Sequence, residues 1–256
     1  MGFEVTMQVL ALLVVAAFVA GFVDSIAGGG GLITVPVLLI AGLDPVTALA
    51  TNKVQGVFGA GAAALSYARA GHVDLRRQAA PALVSFAAAV GGALCASSLP
   101  VGVIRAGLPV ILIGIALFFA LKPGLGDIDR AARLSPAVFA ATLVPVIGFY
   151  DGLVGPGTGS FFMIGFVALA GYGVLRATAH TKLLNFASNL GGLTAFALVA
   201  HPYWLTGLAM GAGQAAGAMV GSRLAMRIGA RVIKPLLVVT STLLALKLIA
   251  DLWLAQ

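Results

Sequence analysis

Apolar stretches separated by short polar segments recur along the whole chain. The long stretches without a charged residue cover residues 7–23, 81–104, 106–121 and 183–200, and a shorter one covers 236–246. About 20 apolar residues in a helix cross a bilayer core of about 30 Å. This pattern therefore predicts an all-α integral membrane protein with several membrane segments.

The chain repeats itself. One set of residues recurs at an offset of 127, and a second set recurs at an offset of 129. The first set is Gly21, Phe22, Asp24, Gly28 and Gly30, which recur as Gly148, Phe149, Asp151, Gly155 and Gly157. The second set is Ala48, Ala50 and Lys53, which recur as Ala177, Ala179 and Lys182. We therefore predict a first transmembrane repeat at 1–122, a polar connector at 123–134 and a second transmembrane repeat at 135–256.

Each repeat is predicted to contain about five membrane segments. A helix enters a glycine-rich break, a short apolar helix follows, and three longer helices complete the repeat. The predicted segments are 5–23, 32–43, 46–68, 78–99 and 103–121 in the first repeat, and 135–153, 159–172, 176–199, 204–226 and 232–252 in the second. The segments after the breaks are short for a full span, so we interpret them as half-helices or re-entrant segments, which must be buried in protein or line a cavity.

The basic residues indicate how the repeats are oriented. The loop at 69–77 carries three arginines, whereas the equivalent loop at 201–204 has no Lys or Arg. The next loop reverses this, with only Arg105 in the first repeat and three basic residues within 227–234 in the second. Since basic loops face the cytoplasm, equivalent loops lie on opposite sides. This predicts inverted repeats, each with an odd number of crossings, and both termini outside.

The amino-acid composition indicates which class of partner the protein has. The chain is 61% hydrophobic and 9% charged, against about 25% charged residues in a typical soluble domain. Its 15 Lys and Arg exceed its 8 Asp and Glu, but they lie between apolar segments, so we expect a lipid bilayer and no nucleic acid as partner. Cys95 is the only cysteine; we expect it to pack and to form neither a disulfide nor a metal cluster.

The two glycine-rich breaks are the first candidate binding feature. Gly28 to Gly31 are four consecutive glycines, and each costs about 1 kcal/mol relative to Ala inside a helix. Backbone N–H groups freed at such a break lie at the start of the next helix, where its dipole favours an anion. The second break, at 151–160, adds Pro156 and Thr158. Close helix packing also uses small residues, but it needs spaced glycines, so the paired breaks favour a transporter binding site.

Two lysines in apolar helices are the second candidate feature. Lys53 follows Thr51 and Asn52, and Lys182 follows Thr181. An ionisable side chain inside the membrane costs at least about 2.5–3.5 kcal/mol and usually faces a cavity or a partner. We interpret both lysines as anion contacts, with snorkelling to the headgroups as the alternative.

Three further titratable residues are assigned to coupling or pairing. Asp24 and Asp151 either accept a proton or pair with a lysine, or else they cap the N–H groups freed at the breaks. His180 could titrate near neutral pH and so couple transport to protons, but Thr51 takes its place in the first repeat, which favours a plain polar lining role.

The whole predicted substrate-binding set can be stated by residue. It consists of Gly28, Gly29, Gly30, Gly31, Thr34, Thr51, Asn52, Lys53, Gly155, Gly157, Thr158, Gly159, Thr181, Lys182 and Asn185. Asn189 and Gln214 are uncharged candidates for a cavity wall. Gly213, Gly217 and Gly221 recur every four residues, which is typical of a helix-packing stripe.

These motifs resemble those of the TauE/SafE family of membrane transporters, also called the sulfite exporter family. The resemblance lies at residues 28–36 followed by 48–53, and again at 155–159 followed by 177–182. It implies a multi-pass permease of the bacterial inner membrane that moves sulfite, sulfonates or related sulfur-containing anions. Within the second break, Pro156 and Thr158 stand where the first has Gly29 and Gly31, so the two breaks are expected to contribute unequally.

Secondary transport of a small anion by alternating access is the leading hypothesis, with a coupling proton as a candidate partner. The sequence has no nucleotide-binding GxxxxGK[ST] loop, no HExxH pair and no GxSxG elbow, and its three histidines fit no metal spacing. We therefore expect neither an enzyme, a metal nor a cofactor. An anion channel is the alternative function, and a membrane scaffold would leave the breaks and lysines unexplained.

Overall fold

The fold was described from a computed structural model covering residues 6–96 and 127–229, with residues 231–233, 235, 236 and 239 beyond them. Within these ranges the helices are α1 (Met7–Ala27), α2 (Gly31–Ile40), α3 (Pro45–Arg69), α4 (Leu75–Ala96), α5 (Pro136–Leu153), α6 (Thr158–Ala168), α7 (Val174–Val199) and α8 (Trp204–Ile228). The predicted all-α class is confirmed. The segment predicted at 103–121 lies outside the described residues, as does most of the one predicted at 232–252.

Capping residues set where several helices begin. Asp44 and Ser135 each accept a hydrogen bond from a backbone N–H three residues on, at 3.1 and 3.3 Å. A proline follows each of them at the first helical position, where its missing N–H costs nothing and its fixed φ suits the helix. The local sequence therefore defines the starts of α3 and α5.

The helices α2 and α6 are half-length. They contain 10 and 11 residues, or about 15–17 Å at 1.5 Å per residue, roughly half of a bilayer core. The short segments were predicted, but the end of the helix before the first break was wrong. α1 continues to Ala27 instead of ending near residue 23, because backbone with positive φ begins only at Gly28.

Three described helices are long and apolar enough to cross a membrane: α1, α4 and α5. The helices α3, α7 and α8 are as long, with 25, 26 and 25 residues, but they carry buried polar side chains. Those three helices surround the candidate site described below.

The described helices pack into two units that exchange members between the repeats. The first packing unit contains α1, α2, α3 and α8, and the second contains α4, α5, α6 and α7. The most extensive contacts join α1 to α8 and α4 to α5, followed by α3 to α8 and α4 to α7. Between the units, the main contact is α3 against α7. Exchanging each helix for its repeat equivalent reproduces this packing, while the inverted orientation of the repeats stays a prediction.

Glycines let the exchanged helices approach each other closely. A Cβ built on Gly217 would lie 1.9 Å from the carbonyl oxygen of Phe18, and one on Gly152 would lie 2.0 Å from that of Ala89. Gly213 and Gly221 likewise face backbone of α1. The predicted packing stripe on α8 is confirmed, and its counterpart joins α5 to α4.

The expectation that Cys95 packs was wrong. Its side chain is exposed, because the buried face of α4 runs through Ala89, Gly92, Ala93 and Ala96. Position 95 lies outside that stripe.

Candidate functional site

The first break is closed by its own aspartate. Gly28 and Gly29 have φ of +82° and +92°, conformations that cost glycine nothing. The chain then turns so that the N–H of Gly30 donates to Asp24 Oδ1 at 3.0 Å. The capping role considered for Asp24 is therefore present, and its carboxylate already occupies part of the start of α2.

The second break uses a hydroxyl instead. Gly155 and Gly157 have φ of +89° and +90°. The Thr158 hydroxyl lies 2.9 Å from Asp151 Oδ1 and 2.6 Å from the Gly155 carbonyl oxygen. The two breaks are thus equivalent in the sequence repeats, but the aspartate accepts from a backbone N–H in the first and from a hydroxyl in the second.

The breaks touch each other at Gly28. A Cβ on Gly28 would lie 2.6 Å from the backbone N of Ser160, and one on Gly159 would lie 2.8 Å from the Gly28 Cα. The Ser160 hydroxyl also donates to the carbonyl oxygen of Ala27 at 3.3 Å. Gly28 therefore serves the junction between the two packing units.

Each buried lysine pairs with the aspartate of the other repeat. Lys53 Nζ lies 2.7 Å from Asp151 Oδ1, and Lys182 Nζ lies 3.2 Å from Asp24 Oδ2. The lysines are 1% and 0% exposed, so neither snorkels to a surface. Gly192 makes room for the stem of Lys53, since a Cβ there would lie 3.1 Å from Lys53 Cε. Both pairs join one packing unit to the other.

Because both ion pairs are buried, removing one charge from either pair is expected to destabilise the protein. Taking two charges out of water costs several kcal/mol per ion, which their mutual attraction must offset, and removing one partner typically costs about 3–5 kcal/mol. The four groups sum to zero charge, with two ammoniums against two carboxylates. A buried pair of this kind is weak evidence for stability, and titratable groups buried beside a cavity mark a candidate functional site.

A small polar cavity of about 30 Å³ lies between the breaks, with room for roughly two water molecules. Its walls come from both packing units. The lining residues are Asp24, Gly29, Gly30, Gly31, Asn52, Gly56, Asp151, Gly155, Gly157, Thr158, Gly159, Asn185, Asn189 and Gln214.

Two asparagines turn their amide nitrogens toward this cavity. The Oδ1 of Asn52 accepts bonds from the Thr34 hydroxyl at 2.6 Å and from Gln55 Nε2 at 2.9 Å. Its Nδ2 lies 3.5 Å from a Cβ built on Gly31. In the same way, the Oδ1 of Asn185 accepts from Asn189, while its Nδ2 lies 3.6 Å from a Cβ built on Gly159. The cavity is thereby provided with N–H donors, as an anion requires.

Some predicted site residues do not border the cavity. They are Gly28, Thr34, Thr51, Lys53, Thr181, Lys182 and His180. The lysines lie behind the carboxylates they pair with, and Thr34 lies behind Asn52. The Thr51 hydroxyl instead accepts a hydrogen bond from the Tyr203 backbone N–H at 3.0 Å. The predicted cavity walls at Asn189 and Gln214 are confirmed.

Sequence reasoning missed Gly56. It lies four residues after Asn52 on α3, so it faces the same side of the helix, and a Cβ there would lie 2.7 Å from Asn189 Oδ1. The four-residue spacing from Asn52 could have indicated that Gly56 lies on the cavity side of α3.

His180 belongs to a second, larger cavity. Its Nδ1 lies 2.5 Å from Gln78 Nε2, and its ring packs edge-on against Tyr172 at 5.0 Å between centroids. A polar lining role holds for His180, but not in the central cavity. Among the residues that the structure describes, no group of three His, Cys, Asp or Glu side chains could hold a metal ion.

The connector docks beside this second cavity. A hydrogen bond from the Gly173 backbone N–H at 2.7 Å lowers the pKa of the Asp129 carboxyl, and the adjacent Arg176 guanidinium lowers it further. The docking is therefore strongest above the ordinary pKa of a carboxyl and is lost as the pH falls through the lowered value.

Comparison with known proteins places the chain in one family of membrane proteins. The sequence profile of the family described as Sulfite exporter TauE/SafE matches residues 13–248. A "Probable membrane transporter protein ORF9" of Sinorhizobium sp is 59% identical over 248 residues, covering 97% of this chain and 95% of the relative. The "Probable membrane transporter protein YfcA" of Escherichia coli K12 is 43% identical over 249 residues, covering 97% and 93%. A "Probable membrane transporter protein" of Haemophilus influenzae is 40% identical over 248 residues, covering 97% of both chains.

No solved structure matches the chain. The family profile and the relatives match nearly the whole length of the sequence. This membrane protein therefore belongs to the TauE/SafE sulfite exporter family.

Proposed function

We propose that this chain is a secondary transporter of small anions in the bacterial inner membrane, and that its substrates are sulfite, sulfonates or related sulfur-containing anions. One observation carries the proposal: two buried lysine–aspartate pairs cross between the packing units and meet at one polar cavity. The family and its relatives, which are named as transporters, support the same class of function.

The anion would bind between the two breaks. The amide nitrogens of Asn52 and Asn185 supply donors there. Lys53 and Lys182 supply positive charge from behind the lining carboxylates. Because the present cavity has room for only about two waters, the units must separate slightly to admit an oxyanion.

Charge balance requires a cation to accompany the anion, and we propose that this cation is a proton. The four charged groups already sum to zero, so an added anion would leave a net negative charge in a site of low dielectric. Asp151 Oδ2 and Gln214 Oε1 are buried without a hydrogen-bond partner among the described residues. Both are acceptors, so whatever satisfies them must bring hydrogen. A proton on Asp151 Oδ2 neutralises that carboxylate and releases Lys53 to balance the anion.

Alternating access would take place between the packing units rather than between the sequence repeats. Each unit combines three helices of one repeat with one of the other, and the cavity lies where the units meet. The close contacts of α1 with α8 and of α4 with α5 each join helices of different repeats, so rocking of one repeat against the other would break them. Motion along the α3–α7 interface preserves them.

Uptake of sulfite into proteoliposomes tests the role of the lysines. We expect Lys53→Met and Lys182→Met to lower the initial rate at least tenfold. The double variants Lys53→Met/Asp151→Asn and Lys182→Met/Asp24→Asn remove each pair entirely, so they should fold better than the single variants without recovering uptake. Arg223→Met, at an exposed position of α8, is the matched control and should transport normally.

Two results would contradict the proposal. Unchanged uptake in the well-folded double variants would remove the lysines from the mechanism. Single-channel currents through the wild-type protein would replace the carrier with a channel.

The choice of anion is tested separately by thermal shift of the purified protein, because a ligand that binds only the folded state stabilises it by mass action. We expect sulfite, thiosulfate, sulfoacetate or taurine to raise the melting temperature, with chloride as the control. If none of them acts, the sulfur-anion assignment is wrong.

A further inference from the structure

A second cavity of about 460 Å³ opens beside the connector, within the 300–1,000 Å³ typical of small-molecule sites. It lies between the turn that follows α3, the start of α4 and the corner between α6 and α7. Its polar lining residues are His72, Asp74, Arg77, Gln78, Tyr172, Arg176 and His180. The central site uses none of them.

Two arginines provide the cavity with positive charge. Arg77 pairs with Asp74 at 3.3 Å, but the two side chains are 89% and 53% exposed, so the pair holds Arg77 only weakly. Arg176 pairs with Asp129 and lies 4.0 Å from the centroid of the Tyr172 ring. A guanidinium has five N–H donors, so Arg176 can bind a second carboxylate without leaving the first.

The inner wall of the cavity contains an unsatisfied acceptor. Gln78 is 7% exposed, its Nε2 faces His180, and its Oε1 has no hydrogen-bond partner among the described residues. A buried amide oxygen without a donor is costly. A ligand that fills this wall should therefore bring an O–H or N–H group.

The remaining wall is apolar. Phe139 and Phe166 are 4% and 2% exposed, with ring centroids 4.7 Å apart, and Pro81, Pro136 and Leu134 complete the surface. Such a wall favours a ligand with a hydrocarbon body over a bare inorganic ion.

We propose that this cavity binds a small organic carboxylate: its anionic group meets Arg77 and Arg176, its hydrocarbon body meets the phenylalanines, and a hydroxyl or amino group donates to Gln78. The site is close to the central cavity. His180 and Asn185 are five residues apart on α7, or about 7.5 Å along the helix axis. The proposal for the second cavity does not depend on the central site, because the two cavities have no lining residue in common.

Equilibrium binding of 4-hydroxybenzoate to the purified full chain, measured by calorimetry, tests this site. The arginine variants, which leave the central cavity unaltered, show whether this probe occupies the second cavity. We expect saturable one-site binding that weakens at least tenfold in Arg77→Gln/Arg176→Gln. The variant Arg133→Gln, which removes a charge from the connector outside the cavity lining, should stay within twofold of wild type.

The role of Gln78 is tested with benzoate, which lacks the hydroxyl. Wild type should prefer 4-hydroxybenzoate several-fold, and Gln78→Met should abolish the preference while still binding both probes. No saturable binding by wild type would overturn the proposal, as would equal losses in the Arg133→Gln and double-arginine variants. Sulfite uptake is measured in parallel, so failure here is distinguishable from failure of the central site.

Discussion

Asp24 and Asp151 occupy equivalent positions but are bonded differently. Both oxygens of Asp24 are satisfied, one by the Gly30 N–H and the other by Lys182. In Asp151, one oxygen meets both Lys53 and Thr158, and the other has no partner among the described residues. The difference follows from the second break, where Thr158 replaces a glycine.

Under the proposed function, this asymmetry makes Asp151 the proposed carrier of the coupling proton. We expect Asp151→Asn, which mimics the protonated carboxyl, to bind the anion independently of pH and to lose uptake driven by a proton gradient. Asp24→Asn should transport more slowly yet keep the wild-type pH dependence. Uptake at several external pH values, with and without a gradient, measures both. A pH-independent Asp24→Asn variant, or an unaffected Asp151→Asn variant, would assign the proton elsewhere.

Sequence reasoning at this scale identified the charged residues but not their arrangement. The repeat offset marked both lysines and both aspartates, because the same residue types recurred in the same order. It could not show that the pairs cross between repeats, since an offset relates equivalent positions and says nothing of which residues touch. For the same reason the lysines were expected to line the cavity, whereas the carboxylates do so.

At the scale of single helices, α4 carries an informative pair of adjacent glycines. A Cβ on Gly92 would lie 2.0 Å from the carbonyl oxygen of Phe149 in α5, whereas one on Gly91 would lie 3.8 Å from that residue's ring. The first clash involves backbone, so the helices would have to move apart. The second is an ordinary contact.

We therefore expect Gly92→Ala to lower the melting temperature markedly, while Gly91→Ala leaves it unchanged or raises it, since Ala is favoured over Gly in a helix by about 1 kcal/mol. Each variant adds one methyl group to wild type, and the two substituted positions are adjacent in the chain. Thermal unfolding in detergent compares them directly. Equal effects would mean that the approach of α4 to α5 is looser than described.

Helix existence was predicted better than helix ends. Apolar periods and glycine runs marked α1 to α8, but α1 continued four residues past its predicted end. The predicted helix ended just before Asp24. Its partner Lys182 is 158 residues away, and that long-range pairing lets Asp24 remain inside the helix.

At the scale of the whole molecule, the exchange means that the described helices of each repeat need a helix of the other repeat to complete their packing. Without α8 the first packing unit lacks the helix that contacts both α1 and α3, and without α4 the second lacks the one that contacts α5 and α7. Nothing in the sequence of one repeat indicates that its neighbour is needed.

We expect that residues 1–126 and 127–256, expressed together from a chain split in the connector, copurify as one complex. Either piece alone should be degraded or aggregate. Affinity capture followed by gel filtration measures this, and the intact chain cleaved at residue 126 after purification is the control. A monodisperse, protease-resistant monomer of either piece would contradict the exchanged packing.

Because α1 packs against α8, α1 must wait for its packing partner during synthesis. About 200 residues separate the end of α1 from the end of α8, and a ribosome adding ~5–20 residues per second needs roughly 10–40 s to make them. Until α8 is made, the face of α1 that packs against its glycines has no partner, and Asp24 lacks its lysine until Lys182, 158 residues further on, has been added. The nascent protein must therefore be accommodated by lipid or by the insertion machinery until α8 is made, and during this interval misassembly and proteolysis compete with folding.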